Sequence, residues 1–237
     1  MNEHPIIFSG EMVLAILEGR KKMTRRICKL PEGARNIQYW SPPSGRSTPG
    51  YANPGVNYWT ERGNHIDPCP YGQRGDRLFV RETFAQIYID DGCIHDEEPG
   101  PCPEKCSGCR IEYKADTGDK YPGGWDDEDV QDAPRWRSPY HMFRWQSRIT
   151  LEVKSIRVER LQDITLEDIA AEGWPDAPKE KEVWAAELFE LAQAGFGWFV
   201  PLWDSINAKR GFPWSSNSWV WVIDFGTEVN PPKEKIA

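Results

Sequence analysis

Alternation of apolar and polar positions is clearest from Arg77 to Phe84. There Leu78, Val80 and Phe84 fall on one side and Arg77, Arg81 and Thr83 on the other, after a turn signal at Gly72 to Asp76. A period of two predicts a strand. A longer strand is predicted from Arg148 to Arg160, but its parity changes between the set Ile149, Leu151, Val153 and the set Ile156, Val158. One extra residue near Lys154 or Ser155, a β-bulge, would return both sets to one face. The closing strand, Trp219 to Phe225, is apolar on both faces until Asp224, the pattern of a strand covered on both sides.

Helical periods lie between these strands. A short extended start, Pro5 to Phe8, leads into a helix capped by Ser9 and stopped by Gly19, with Met12, Leu14, Ile16 and Leu17 as its apolar face. Three short helices are predicted after the long strand. Thr165 and Asp168 make a capping-box-like start for the first, which Gly173 ends. The second carries Trp184, Leu188 and Leu191 on one stripe, and the third Phe199, Leu202, Trp203 and Ile206. The stretches at about 29–73 and 90–147 are rich in Pro, Gly, Ser and Asn or in acidic residues, and read as two long insertions, the second with a short strand at Ile111 to Lys114. The order of elements predicts an α+β fold, a mixed or antiparallel sheet closed as a barrel with flanking helices. One domain is expected over 1–228 and a loose tail over 229–237.

Charge narrows the partners. The 237 residues carry 29 Lys and Arg against 37 Asp and Glu, a net charge of −8, which is the wrong sign for a protein that coats nucleic acid without specificity. Any contact with nucleic acid is therefore local. No run approaches the roughly 18 to 20 apolar residues of a membrane helix, and the start MNEHPIIFSGEM lacks the basic and apolar regions of a signal peptide. A cytoplasmic protein without a membrane partner is the expectation. In that compartment the six cysteines read as thiols or metal ligands rather than disulfides. Twelve tryptophans can serve either as core or as stacking platforms for bases.

Three groups of residues could carry chemistry. Arg20, Lys21, Lys22, Arg25 and Arg26 surround Thr24 just after the first helix. Two readings stay open: a solvated cap that offsets the helix dipole, or an anion or nucleotide pocket with Lys21, Thr24 and Arg26 pointing inward. The second group is Cys93, Cys102, Cys106 and Cys109, four thiols in a hydrophilic loop with a knuckle-like Cys106-Ser107-Gly108-Cys109 pair. That spacing favours a structural zinc over free thiols, with His95 as the alternative ligand if Cys93 is not used, and four protein ligands would leave no open position for a catalytic water. Cys28 and Cys69 have no such partners in sequence and read as buried thiols. The third group interleaves Trp136, Arg137, His141, Arg144, Trp145 and Arg148, a mixture that stacks bases and holds phosphates or equally closes a barrel rim.

The run Leu17 to Arg26 (LEGRKKMTRR) resembles the signature that opens ASCH domains, where a short helix ends in Gly, a basic pair, then Thr and Arg two residues apart. Gly75 to Val80 and Trp221 to Phe225 fall where that family has its own strands. Cys69 to Leu78, Trp136 to Val153, Leu202 to Asn207 and Trp219 to Val222 are similar to ASCH-related proteins encoded by phages and prophages. The resemblance implies a PUA-like mixed β-barrel in the cytoplasm of a bacterial host, and a nucleoside, nucleotide or RNA partner. By motif with the branch that deacetylates N4-acetylcytidine, it implies a catalytic set of Lys21, Thr24 and Glu172, with Arg26 beside them; Arg20, Arg26, Arg81, His141, Arg144 and Trp145 are the expected substrate contacts. A partly desolvated Lys21 would take the proton of Thr24 as that hydroxyl attacks an amide carbonyl, with Glu172 orienting or sharing the proton. Two departures bear on the substrate: the long insertions, and Lys22 beside the catalytic lysine. A ribonuclease is the less favoured activity. The alternatives to an amidohydrolase are a reader of RNA or nucleotide without chemistry, and a module that binds a phage or host protein.

Overall fold

The two longest strands organise the molecule, which is described by a computed structural model. The described residues are 1–30, 37–39, 58–60, 69–88, 108–118, 120–124, 134–178 and 185–229, those at 37–39 and 58–60 as backbone only. Chain order is β1 (Glu3–Ile7), α1 (Gly10–Leu17), β2 (Met23–Ile27), β3 (Ile37–Tyr39), β4 (Tyr58–Thr60), β5 (Arg77–Arg81), β6 (Phe84–Tyr88), β7 (Cys109–Tyr113), α2 (Lys114–Thr117), β8 (Ile149–Arg160), α3 (Leu166–Ala171), α4 (Ala185–Asn207) and β9 (Trp219–Val229), with short 3-10 turns between. The fold is α+β. Five strands form one mixed sheet in the order β1-β5-β8-β9-β2, parallel only between β1 and β5, while β3 pairs β4 and β6 pairs β7 in two separate ribbons.

The parity change in β8 is a register shift between Val153 and Ser155, so Lys154 is the extra residue and Ile149, Leu151, Val153, Ile156 and Val158 are all buried in one cluster. Strand β9 divides its side chains between two cores: Trp221, Ile223 and Phe225 enter that cluster with Ile6, Phe8, Ile16 and Leu78, whereas Val220 and Val222 pack under α3 and α4 with Ile169, Phe199 and Trp203. Covering both faces explains why β9 reads as a continuous apolar run.

Among the described residues the sheet does not close into the predicted barrel, because β1 and β2 are both edges with no backbone ladder between them. A side chain spans the seam instead. Arg26 Nη2 donates to the Ile7 carbonyl at 2.8 Å, with its guanidinium 5.0 Å from the Phe8 ring. Pro5, which lacks a donor, suits the edge position of β1.

Other predictions need correction. Phe84 does not prolong β5: the chain breaks at Glu82 and Thr83, where Glu82 is buried against Arg148 at 3.0 Å, and Phe84 opens β6. The second and third of the predicted short helices are one helix of 23 residues, α4, with Pro201 inside it. The helix runs unbroken between the two predicted stripes, with Phe199 and Trp203 buried in one cluster with Ile169, Trp174 and Val222. Leu188 is exposed rather than part of a buried stripe, and Trp184 lies outside the described residues. On α1 the buried positions are Val13, Ala15 and Ile16, with Leu14 largely exposed. Most of the two expected insertions and residues 230–237 lie outside the described residues. Among the described residues no helix is long and apolar enough to cross a membrane.

Candidate functional site

Two glycines bring the ends of two helices together. Gly19, at φ +73°, stops α1 and lets the amides of Arg20 and Lys21 turn back onto the Ala15 carbonyl at 2.9 Å. Gly173, at φ +103°, ends α3; a Cβ there would stand 3.1 Å from both Ala15 Cβ and Lys21 Cβ. The close approach is fastened by Lys22 N donating to the Ala171 carbonyl at 2.8 Å. At the start of α3 the Thr165 hydroxyl accepts from Asp168 N, the expected capping box.

This junction buries Lys21 completely. Its Nζ donates to Glu172 Oε2 at 2.6 Å and to the Glu172 carbonyl at 2.8 Å, while Arg20 Nη1 donates to the Gly173 carbonyl at 2.7 Å. The cationic run therefore caps a helix C-terminus, but that of α3 rather than of α1. Burial pushes the Lys21 ammonium below the usual lysine range, and the Glu172 carboxylate opposes that shift.

Thr24 and Arg26 share one face of β2 with Ile223 and Trp221 of β9, and Arg25 points to the other. Arg25 is 3% exposed and donates through Nη2 to Glu159 at 2.6 Å and Asp168 at 2.7 Å; its Nη1 lies 3.6 Å from Glu172 Oε1. Arg157 extends this network to Glu159, Asp168 and Asp224. Glu172 thus stands between two buried cations, and its Oε1 is a buried oxygen without a hydrogen-bond partner. Glu172 also lines a cavity of about 390 Å³ whose walls include Thr24, Arg25, Arg26, Tyr71, Phe199, Trp203 and Trp221. A carboxylate with an unused acceptor in the wall of an aromatic cavity can serve a ligand donor or the proton of a nucleophile.

The structure separates the other expected contacts from this cavity. Arg20 is held by Glu18 and the α3 terminus. Arg144 makes a bidentate pair with Glu3 at 2.8 and 2.9 Å, and Arg81 and Arg144 both lie over the Phe79 ring. Arg148 pairs with Glu82 and Asp116 over the Tyr113 ring at 4.0 Å. His141 is exposed on a 3-10 turn, and half-buried Trp145 belongs to the next one. The Trp and Arg mixture is thus largely tied internally, as a rim. The proton path expected from Lys21 to Thr24 is also altered, since the described bonds of Lys21 Nζ run to Glu172. Cys93, Cys102 and Cys106 lie outside the described residues, as does His95; Cys109 Sγ accepts from Gln86 Nε2 at 2.9 Å. Cys28 and Cys69 are free thiols, both pushed up to about 12 by burial.

Sequence reasoning missed Arg25, Tyr71, Lys29, Asn207 and Arg210. Strand alternation between Thr24 and Arg26 could have placed Arg25 on the opposite face, but no local signal brings residues near 70 and 207 to β2. Comparison of the chain with protein-family models, with curated proteins and with solved structures finds no match.

Proposed function

We propose that the chain is a PUA-like protein of ASCH type that holds a nucleoside or nucleotide in the cavity beside Glu172, in the cytoplasm of a bacterial host, and hydrolyses an acyl group from an N4-acylated cytidine. The observation that carries this reading is the unpartnered Glu172 Oε1, fixed by Lys21 from behind and set in one cavity with Thr24 and Arg26. Phe199, Trp203 and Trp221 give a base apolar and aromatic surface to lie against. Glu172 would accept the proton of the Thr24 hydroxyl, or of a water, as that oxygen adds to the acyl carbonyl. The C–N bond then breaks with the proton returned to the leaving amine; where Thr24 is the nucleophile, a water activated by Glu172 next cleaves the acyl ester on Thr24, so the net reaction consumes one water and releases a carboxylic acid and the exocyclic amine. Lys21 acts here by orienting Glu172.

The test is release of acid from N4-acylated cytidines, free and within RNA, by wild type, Thr24→Val and Glu172→Gln. Turnover by wild type that falls at least about a hundredfold in both variants is expected. No turnover by folded wild type on any substrate moves the reading to a binder without chemistry, whether of RNA or of a phage or host protein. The commitment of Lys21 Nζ to Glu172 rather than to Thr24 is the observation that favours this second reading.

The cysteine spacing supports one further part of the proposal, a structural zinc on Cys93, Cys102, Cys106 and Cys109. One zinc per chain by elemental analysis, lost in Cys106→Ser, is the expected result; a metal-free folded protein excludes it.

A further inference from the structure

Charges around the cavity do not balance. Lys21 is answered by Glu172, and Arg25 by Glu159 and Asp168. Arg26, Lys29 and Arg210 line the same cavity, and among the described residues none of the three has a carboxylate within ion-pairing distance. Arg26 is satisfied by the Ile7 carbonyl and the Phe8 ring, both uncharged. Arg210 Nη1 donates to Asn207 Oδ1 at 3.2 Å, and buried Asn207 is itself held through its Nδ2 to the Trp203 carbonyl at 3.3 Å. Glu172 in the same cavity acts favourably on Arg26 without pairing with it, and the Arg210 charge acts against Arg26, so the cations gathered at the cavity outnumber the one carboxylate in its wall. In a chain of net charge −8 such a gathering is not a by-product of a generally basic surface.

We infer that Arg26, Lys29 and Arg210 form a phosphate subsite at the mouth of the cavity, and that the ligand is a nucleoside monophosphate rather than a free nucleoside. This rests on the nucleoside reading above and specifies its substrate class. Lys29 and Arg210 are exposed, so the phosphate lies at the mouth while the base lies inward against the aromatic wall and Glu172. Asn207 and the β1 edge hold Arg210 and Arg26 before the ligand arrives, which lowers the ordering cost of binding. Guanidinium groups suit the task, because they match phosphate oxygens in a fork geometry. A volume of about 390 Å³ is near the lower end of ligand pockets, roughly 300 to 1,000 Å³, and suits one nucleotide rather than a strand.

Calorimetric titration of the full chain with cytidine, cytidine monophosphate, inorganic phosphate and a short cytidine-containing oligonucleotide tests this, on wild type and on a Lys29→Ala, Arg210→Ala double variant. Both substituted side chains are exposed, and thermal unfolding verifies that the variant is folded. Cytidine monophosphate is expected to bind at least about tenfold more tightly than cytidine in wild type, with the ratio falling toward one in the variant while cytidine affinity stays unchanged. The wild-type ratio should also shrink as salt rises. Equal affinity for the two ligands, a ratio preserved in the variant, or tighter binding of the oligonucleotide overturns the monophosphate inference and leaves the nucleoside reading standing. Failure to bind either cytidine or its monophosphate overturns both.

Discussion

Lys21 Nζ lies 2.6 Å from Glu172 Oε2 and 2.8 Å from the carbonyl of the same residue, so one buried ammonium fixes both the side chain and the backbone at the end of α3. The pair therefore does two things at once: it fastens α3 to the turn after α1, and it leaves Glu172 Oε1 without a hydrogen-bond partner in a residue that lines the cavity.

Breaking this pair from one side should be costly. Lys21→Met removes both hydrogen bonds of Nζ and leaves the buried Glu172 carboxylate only Arg25, 3.6 Å away, so up to about 3–5 kcal/mol of stability should be lost, read from the urea midpoint. Replacing both members, Lys21→Met with Glu172→Leu, should recover a large part of that loss. A double variant as unstable as the sum of the two single variants would show that the pair is not energetically coupled.

Arg25 should be as sensitive. Arg25→Met leaves Glu159 and Asp168, which Arg25 holds at 2.6 and 2.7 Å, to the longer contacts of Arg157, and Asp168 also caps α3. Hydrogen exchange in α3 is expected to accelerate before that in β8 and β9. Uniform acceleration across the sheet would place the role of Arg25 in global stability instead.

Gly173→Ala forces a side chain onto a residue at φ +103° and into contacts of 3.1 Å with Ala15 and Lys21. Destabilisation of at least about 1–3 kcal/mol is expected. Because the strain sits beside Lys21, ligand affinity should fall as well; a loss of stability without any change in affinity would separate this turn from the site.

Two thiols, buried Cys28 and half-buried Cys69, give the chain an alkaline limit. Cys28 and Cys69 are raised from 9.0 to about 12, chiefly by burial, so the folded chain keeps protons that the unfolded chain gives up above about pH 9. Their contribution is fully present below that pH and is lost as pH rises toward about 12. Denaturation midpoints should fall between about pH 8 and pH 10 more steeply in wild type than in a Cys28→Ala, Cys69→Ala variant. Parallel slopes would rule this origin out. Slow alkylation of both thiols in the folded chain near pH 8 is the companion expectation.

How far the sequence could be read depended on the range of the interaction. The bulge at Lys154, the Thr165 and Asp168 cap, and the glycines that end α1 and α3 are local, and each was legible from a period or a cap. The union of two predicted helices into α4 was not, because tertiary packing of Phe199 and Trp203 outweighs the local break expected between Leu191 and Phe199. Arg26 was readable as inward-pointing, yet its use in spanning the β1–β2 seam was hidden, since that depends on where a curling sheet stops. Lys21 and Glu172 come from positions 151 residues apart, and only the resemblance suggested them together. Asn207 and Arg210 carried no signal, because their value arises from where α4 happens to end.

Strand β9 sends alternate side chains into two different cores, and this makes the halves of the molecule mutually dependent. If α3 and α4 were to detach, Val220 and Val222 would meet water while Trp221 and Ile223, one residue away on the same backbone, remained packed. Such partial release wets apolar side chains on a strand still packed on its other face, so with the Arg25 anchor intact the layer that carries Glu172 and the sheet that carries Thr24 and Arg26 should melt as a single unit, and the cavity between them should vanish with the fold rather than ahead of it.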